Sequence, residues 1–412
     1  MYITQNKLLQ YGLYSNAIYV FLFFLFQPDG ISFHKIAISF FLAFSVCASF
    51  IVCFRNKNSL SEIPKLHKRV FIFLMFWSIV TITRSFSFKL QDWMTNFGNV
   101  YMALAWFTPI FIIIGQKIEN WIIIFKSIWF MFQLMILSLL FLPFHIHPGK
   151  LRTEWVWLLR PMNFILLIGI NKFKAHYRFI AYITFLVYIL MAVLTQQRIE
   201  FIYLFLIFTF IFIKKIKHFK IKRKFLKFIL FGSIALIFII FTYGYENLSN
   251  ILLRIVEYQD TRIFLYNELI AELDNIEEII GRGSLGTYYS HYMEHTKWYI
   301  EEIRKQTWYG DSSIRITIEV GYLQMILKGG YILFLSTLFL MLSSSYLAIF
   351  KSNNLFVRNL GLYILVLSIL SIISFRPAFT PTFIILWTAV GTALNKRNRN
   401  MTDQEIKELI NI

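Results

Sequence analysis

The sequence predicts an all-α, polytopic integral membrane protein with about 12 transmembrane helices and one long extracytoplasmic helical loop before the tenth span. Of its 412 residues, 58% are hydrophobic and only 15% are charged, whereas about a quarter of the residues in a soluble domain are charged. Apolar runs of about 17–25 residues, long enough to cross a hydrocarbon core of about 30 Å, recur along the chain. This pattern excludes soluble enzymes, disordered tails, disulfide scaffolds and collagen-like fibres.

The apolar runs divide the chain into four parts. Residues 1–243 hold spans one to nine, 244–330 form the extracytoplasmic loop, 331–394 hold spans ten to twelve, and 395–412 form a cytoplasmic tail. The predicted spans are 11–26, 36–54, 70–82, 99–114, 121–144, 155–170, 179–194, 201–213, 225–243, 331–350, 360–374 and 377–394. The runs 70–82 and 201–213 are short, and both are kept because they preserve the alternation of basic loops.

Basic residues orient the predicted spans. The densest cluster, in the connection 214–227, is placed in the cytoplasm by the positive-inside rule. The basic loops 55–69 and 172–178 and the tail then fall on the same side, so both termini are expected to be cytoplasmic. The first apolar run lacks a small-residue cleavage site and is read as span one rather than a signal peptide. We expect a multi-pass protein of the cell inner (cytoplasmic) membrane.

The cysteine content and the net charge point to no further chemistry. Cys47 and Cys53 lie in one apolar run and are interpreted as small membrane hydrophobes. The 41 Lys and Arg against 22 Asp and Glu give a formal charge of +19. These charges sit mostly between the apolar runs, as membrane flanks do, so no nucleic-acid partner is expected.

The segment 244–330 differs from the rest of the chain, since it contains 13 of the 22 acidic residues. A loop of this length is usually functional. Apolar residues at helical spacing, with Asp260 as a possible cap, predict two helices, a glycine turn, an irregular segment and a returning helix. The predicted topology places this loop outside the cytoplasm.

Two short motifs in the loop match known strings. Gly281–Gly286 matches the dinucleotide fingerprint, but no βαβ unit surrounds it, so it is interpreted as a turn whose amides could at most meet an anion. His291 and His295 match an inverted zinc-peptidase string, with a carboxylate base at Glu294 between them. The alternative is a polar surface whose tyrosines face a glycan or lipid headgroups, and no metal or other cofactor is expected.

Four polar residues precede span ten at spacings of four, four and three: Asp311, Arg315, Glu319 and Tyr322. On the returning helix they would share one face. Arg315 and Glu319 could be a surface pair worth only about 0.2–0.5 kcal/mol. Ionisable groups are costly where a loop re-enters the membrane unless they are used, so this face is a candidate site.

Arginines near the outer ends of spans are exceptions to the positive-inside rule. Arg198 lies in a short outer connection, Arg262 begins the second loop helix, and Arg282 lies in the glycine turn. Other outer arginines are Arg84, Arg152, Arg160 and Arg376. A single one is more often a snorkelling anchor, but several around one cavity would bind an anion such as diphosphate bidentately.

The loop resembles a family. The stretch from Thr261-Arg262 to Leu273, followed by Gly281-Arg-Gly283, looks like the "Arg, aromatic, helix, then Gly-x-Gly" stretch of bacterial O-antigen polymerases and O-antigen ligases. Glu319-Val-Gly-Tyr322 and the following Gly-Gly pair are similar to the segment by which that family's loop returns to the membrane. The Gln197-Arg198 corner matches the position of a Ser-Arg or similar pair. Where ligases usually present a histidine, this chain has Glu319, which favours the polymerase.

The resemblance implies glycosyl transfer on the outer membrane face, with an oligosaccharide on undecaprenyl diphosphate as donor and a second lipid-linked repeat unit as acceptor. Arg198 and Arg262 would neutralise the diphosphate leaving group, and Glu319 would accept the proton of the attacking hydroxyl. Arg282, Arg315, Tyr322 and Asp311 would bind the diphosphate or the glycan. A chain-length regulator and a flippase are possible protein partners, together with the lipid bilayer.

Three alternatives remain open from the sequence. A ligase would transfer the glycan to lipid A core or to a protein. A flippase or other transporter of lipid-linked oligosaccharides would show two related halves with broken helices, and no such repeat is evident. A membrane metallopeptidase depends on His291 and His295.

Overall fold

A computed structural model describes residues 4–26, 33–85, 87–139, 154–194, 197–218, 261–303 and 313–410. These residues are almost entirely helical, with one two-stranded antiparallel ribbon. An all-α fold is therefore confirmed. The predicted ninth span at 225–243, together with Arg152, Asp260 and Asp311, lies outside the described residues.

The helices of the first half follow the apolar runs. They are α1 Gln5–Phe26, α2 Phe33–Arg55, α3 Lys65–Thr83, α4 Leu90–Gly98, α5 Ala103–Phe107, α6 Ile112–Gly115, α7 Trp121–Ser138, α8 Glu154–Leu159, α9 Pro161–Ile168, α10 Ala175–Leu194 and α11 Arg198–His218.

The second half contains the loop elements, one long apolar helix and two shorter apolar helices. In chain order these are α12 Thr261–Glu272, α13 Asn275–Ile280, β1 Tyr288–Tyr289, α14 His291–Trp298, β2 Ile314–Arg315, α15 Gly321–Phe350, α16 Leu355–Leu370, α17 Pro381–Leu394, α18 Lys396–Asn400 and α19 Asp403–Ile410.

Among the described residues, five helices are long and apolar enough to cross a membrane, or up to six if the pair α4 and α5–α6, bent by 46°, forms one span. They fit insertion into a lipid bilayer. Twelve spans are not confirmed. The predicted spans 155–170, 201–213, 360–374 and 377–394 correspond to apolar helices of only 10–17 residues, shorter than the roughly 20 residues that a membrane crossing needs.

The predicted returning helix is present, but it begins later in the chain than expected. Ile314 and Arg315 instead form β2, which pairs with Tyr289 and Tyr288 of β1, and helix begins only at Gly321. The run Ile-Arg-Ile-Thr-Ile alternates isoleucine with polar residues, and this period of two with β-branched side chains favours a strand over a helix. Arg315, Glu319 and Tyr322 therefore do not share a helical face, and Asp311 lies outside the described residues.

α15 is broken at Gly330, whose φ of 68° and ψ of −171° are not helical. The carbonyl groups of Leu327 and Lys328 near this break accept hydrogen bonds from the amides of Arg282 and Gly283, at 2.7 and 2.9 Å. A Cβ atom on Gly330 would lie 2.1 Å from the carbonyl oxygen of Ile279. The glycine turn of the loop thus packs directly against the break in α15.

The two ends of α16 lie at opposite ends of the helix bundle. At its first residue, the Leu355 amide donates to Asp403 of α19 at 2.6 Å, so the C-terminal helix lies at that end. The connection 371–380 follows its last residue and lies at the other end. With 16 residues, α16 is about 24 Å long, so the two ends are well separated.

Candidate functional site

A cavity of about 500 Å³ lies where the ends of several helices meet the segment before α15. Its walls come from α1, α7, α8, α9, the start of α11, residues 315–319 and the connection between α16 and α17. The charged and amide side chains that line it are those of Arg160, Gln197, Arg315, Glu319 and Arg376. Because three guanidinium groups share this cavity, it is the candidate functional site.

Arg315 and Glu319 form an ion pair at the cavity wall. Arg315 Nη2 lies 3.3 Å from Glu319 Oε1, and the Arg315 side chain is 6% exposed while that of Glu319 is 61% exposed. The Arg315 backbone is held by β2, opposite Tyr288. Burial raises the pKa of the Tyr288 phenol to about 12. Arg315 is therefore a fixed, largely buried cation, and Glu319 is an accessible carboxylate beside it.

Arg376 stacks on aromatic rings at the cavity wall. Its guanidinium carbon is 3.7 Å from the ring centroid of Tyr101 and 5.6 Å from that of Trp157. Arg376 Nη1 donates to Thr317 Oγ1 at 3.1 Å. Stacking and a hydrogen bond together fix the plane of the guanidinium group before any ligand arrives.

Arg160 is fixed by a buried carboxylate. Its Nε and Nη2 both donate to Glu200 Oε1, at 2.8 and 2.6 Å, and Glu200 is fully buried. The other carboxylate oxygen accepts from Tyr188 Oη at 2.6 Å, and that hydroxyl accepts from Asn163 Nδ2 at 2.8 Å. Arg160 also packs over the ring of Phe375, at 4.1 Å. A hydrogen-bonded network from three helices therefore orients this cation.

The connection between α16 and α17 joins these groups. Phe375 has a φ of 62°, a strained backbone conformation for an aromatic residue. It forms a β-bridge with Val320, and the Gly321 amide donates to the Ser374 carbonyl at 3.0 Å. A Cβ atom on Gly321 would lie 2.6 Å from the Phe375 oxygen, so glycine permits this approach. The bridge holds the segment of Glu319 against the segment of Arg376.

The charges of the site leave a positive excess. The three guanidinium groups of Arg160, Arg315 and Arg376 face the carboxylates of Glu200 and Glu319, which leaves one positive charge among these five residues. The planar guanidinium group presents two parallel N–H donors, which can bind two oxygens of one phosphate at once. The cavity is therefore suited to an anion, with one carboxylate available for proton transfer.

Two of the predicted binding residues lie in other surroundings. Arg282 is paired with Glu272 at 2.6 Å and Glu277 at 2.8 Å, and the hydrogen bond that it donates to Glu277 is the main cause that raises the pKa of this guanidinium. Tyr322 is buried and donates to the Ser368 carbonyl at 2.6 Å. In these positions both side chains hold the scaffold together.

The remaining predicted residues are only partly described. Arg198 and Arg262 lie in the first turns of α11 and α12, respectively. The cavity is lined by Gln197 and Ile199, the two neighbours of Arg198. Asp311 is outside the described residues.

The histidine motif is exposed on the loop surface. His291 Nδ1 lies 3.9 Å from a Glu294 oxygen, with the two side chains 81% and 57% exposed. Across the described parts of the chain, no three His, Cys, Asp or Glu side chains are grouped as a metal site would require. The two histidines thus lack a third ligand within that part.

Arg160 and Arg376 were expected only as outer arginines, not as residues of the site. Both directly precede a proline, a position where a helix starts or stops. Glu200 follows the Gln197-Arg198 corner and was not assigned either. A carboxylate buried in an apolar run is the signal that could have identified an ion pair with one of the arginines.

No family model, no curated protein and no solved structure matches the chain.

Proposed function

We propose that this protein is a membrane glycosyltransferase that polymerises oligosaccharide repeat units carried on undecaprenyl diphosphate, as O-antigen and capsule polymerases do. The observation that carries the proposal is the cavity in which Arg160, Arg315 and Arg376 surround one accessible carboxylate, Glu319. This set supplies the two requirements of the reaction, a binding site for a diphosphate and a base for a sugar hydroxyl.

In this proposal the arginines bind the diphosphate of the donor. Arg376 and Arg160 are held by aromatic rings, and Arg160 also by Glu200, so neither needs to be ordered when the donor binds. Hydrogen-bond donors of the protein that are already in position stabilise developing charge without having to reorganise. This is the usual origin of large electrostatic effects in catalysis. The cavity therefore favours departure of the diphosphate as an anion.

Glu319 accepts the proton of the attacking hydroxyl. The acceptor oxygen forms a bond to the anomeric carbon of the donor sugar while the bond from that carbon to the diphosphate oxygen breaks. The electron pair of the breaking bond leaves with the diphosphate, whose added charge is met by the guanidinium groups. The chemistry is carried by protein side chains and follows from the charge pattern of the cavity.

Arg198 and Arg262 complete the proposed donor site, as the resemblance implies. Arg198 is placed in the proposal because its neighbour Gln197 lines the cavity. Asp311 remains a proposed contact to the glycan or the diphosphate, whereas Arg282 and Tyr322 are engaged in the scaffold. The proposed setting is the outer face of the cytoplasmic membrane in a twelve-span topology with both termini inside.

The experiment is to incubate the purified protein with an undecaprenyl diphosphate-linked repeat unit alone and to separate the products on a gel. A ladder of regular steps is expected. If transfer requires added lipid A core or protein, the protein is a ligase and not a polymerase. No transfer to any acceptor would contradict the glycosyltransferase and would favour a transporter.

A further inference from the structure

A second cavity, of about 250 Å³, lies near the start of α7 and the start of α10. One of its lining residues is Ile410, the last residue of α19. Because α19 lies beside the first residue of α16, this cavity is at the end of the bundle opposite the arginine cavity. It is thus separate from the site of the proposed function and does not depend on that proposal.

Aromatic rings form the wall of this second cavity. Trp129 stacks on Tyr177 with ring centroids 5.1 Å apart, and Phe173 meets Trp129 edge-on at 5.1 Å. Phe125 meets Phe173 edge-on at 5.3 Å. Such interlocked rings hold one shape, because each is fixed by its neighbours. The cavity is therefore a rigid apolar surface rather than a gap between mobile side chains.

Two lysines are exposed at this wall, Lys126 and Lys174. Within the described ranges no carboxylate is paired with either one. Lys126 belongs to α7, which is apolar enough to span a membrane. An ammonium group on such a helix is costly unless it reaches the headgroup region or meets an anion.

An apolar surface continues from the cavity along α7. Ile122, Phe130 and Leu137 share the helical face of Lys126, and Leu137 is 51% exposed. A ligand that fits both features has an anionic head, for the lysines, and hydrocarbon chains, for this face.

We propose that the second cavity binds the headgroup of an acidic phospholipid such as phosphatidylglycerol. The phosphate lies between Lys126 and Lys174, the glycerol backbone contacts the Trp129 and Tyr177 rings, and the acyl chains follow the face of α7 that carries Phe130 and Leu137. Basic residues near a membrane attract acidic lipid, and two of them that converge on one walled cavity convert this attraction into a site.

The test is native mass spectrometry of the purified protein titrated with phosphatidylglycerol or phosphatidylcholine of the same acyl chains. The variants are K126Q/K174Q and a matched control, K172Q/R178Q, which removes the same charge from exposed residues of the same region that do not line the cavity. We expect wild type and control to retain one phosphatidylglycerol preferentially. K126Q/K174Q should bind it roughly 30-fold more weakly, since each lysine near acidic lipid contributes about a factor of five.

Equal losses in both double variants would contradict the proposal and indicate a general basic belt. Equal retention of the two lipids by wild type would also contradict it. Competition by soluble glycerol phosphate would show that the site takes a free phosphate instead of a lipid headgroup. Elution of each variant as a single species, as for wild type, shows that a loss of lipid is not a loss of fold.

Discussion

Among the described residues that line the arginine cavity, Glu319 is the only accessible carboxylate. Glu319→Gln keeps the size and a hydrogen-bond acceptor for Arg315 but cannot take up a proton. We expect the rate of donor consumption to fall by about 10²–10⁴, because a positioned base contributes that much. The fall is measured from initial rates of donor consumption at saturating donor. Glu62→Gln, at an exposed position at the other end of the bundle, is the matched control. A normal rate would leave Glu319 only an ion-pair partner.

Glu200 is a fully buried carboxylate whose charge is matched by Arg160 alone, at 2.6 Å. Glu200→Gln leaves the guanidinium group buried without its counter-charge. Breaking such a pair typically costs about 3–5 kcal/mol, so we expect a large fall in the midpoint of thermal unfolding. Tryptophan fluorescence of the solubilised protein reports this midpoint. An unchanged midpoint would show that the pair does not stabilise the bundle.

At the scale of elements, the break in α15 fits the loop onto the bundle. Gly330→Ala places a side chain where the Ile279 carbonyl lies, at a φ of 68° that side-chain-bearing residues rarely adopt. Strain alone costs about 1–3 kcal/mol, and the clash adds to it. We expect a clear fall in the unfolding midpoint.

Gly98→Ala is the matched control, because a Cβ atom there meets nothing within 4 Å. Its effect should stay within about 1 kcal/mol. Equal midpoints for the two variants would contradict the role given to the break.

The returning segment shows which elements the sequence could predict. Long apolar runs identify helices such as α2, α3 and α10 because burial in lipid or core requires an unbroken helical stretch. The segment 314–319 was predicted as helix from the spacing of its polar residues, whereas its alternating isoleucines follow the period of a strand. Its partner strand, β1, lies well before it in the chain, with Tyr288 opposite Arg315 and Tyr289 opposite Ile314. Such non-local pairing cannot be read from local spacing.

At the scale of the whole molecule, the arginine cavity and α19 lie at opposite ends of the bundle. Ile276, in the loop, is 66% exposed, and Lys351, between α15 and α16, is exposed at the end near α19. With Cys47 and Cys53 replaced by serine, Ile276→Cys should react with an impermeant maleimide on intact cells, and Lys351→Cys only after lysis. Labelling of both from one side would contradict the proposed topology.

The sequence predicted a site rich in arginine, but it did not predict which arginines line the cavity. Arg315 and Glu319 were assigned to the site from the sequence, and both line the cavity. They could be predicted together because they are close along the chain. Arg160 and Arg376 are brought to it from separate helix ends, and Glu200 orients Arg160 from 40 residues away. Sequence spacing carries no information on which helix ends meet.

The most direct test of the arginine cavity is the affinity of the purified protein for undecaprenyl diphosphate, measured for wild type, Arg376→Gln and the exposed control Arg397→Gln. Arg376→Gln should bind the lipid roughly 10- to 100-fold more weakly, the value of one charge-assisted contact, while Arg397→Gln binds normally. Equal affinity in all three proteins would contradict the assignment of this cavity to the diphosphate.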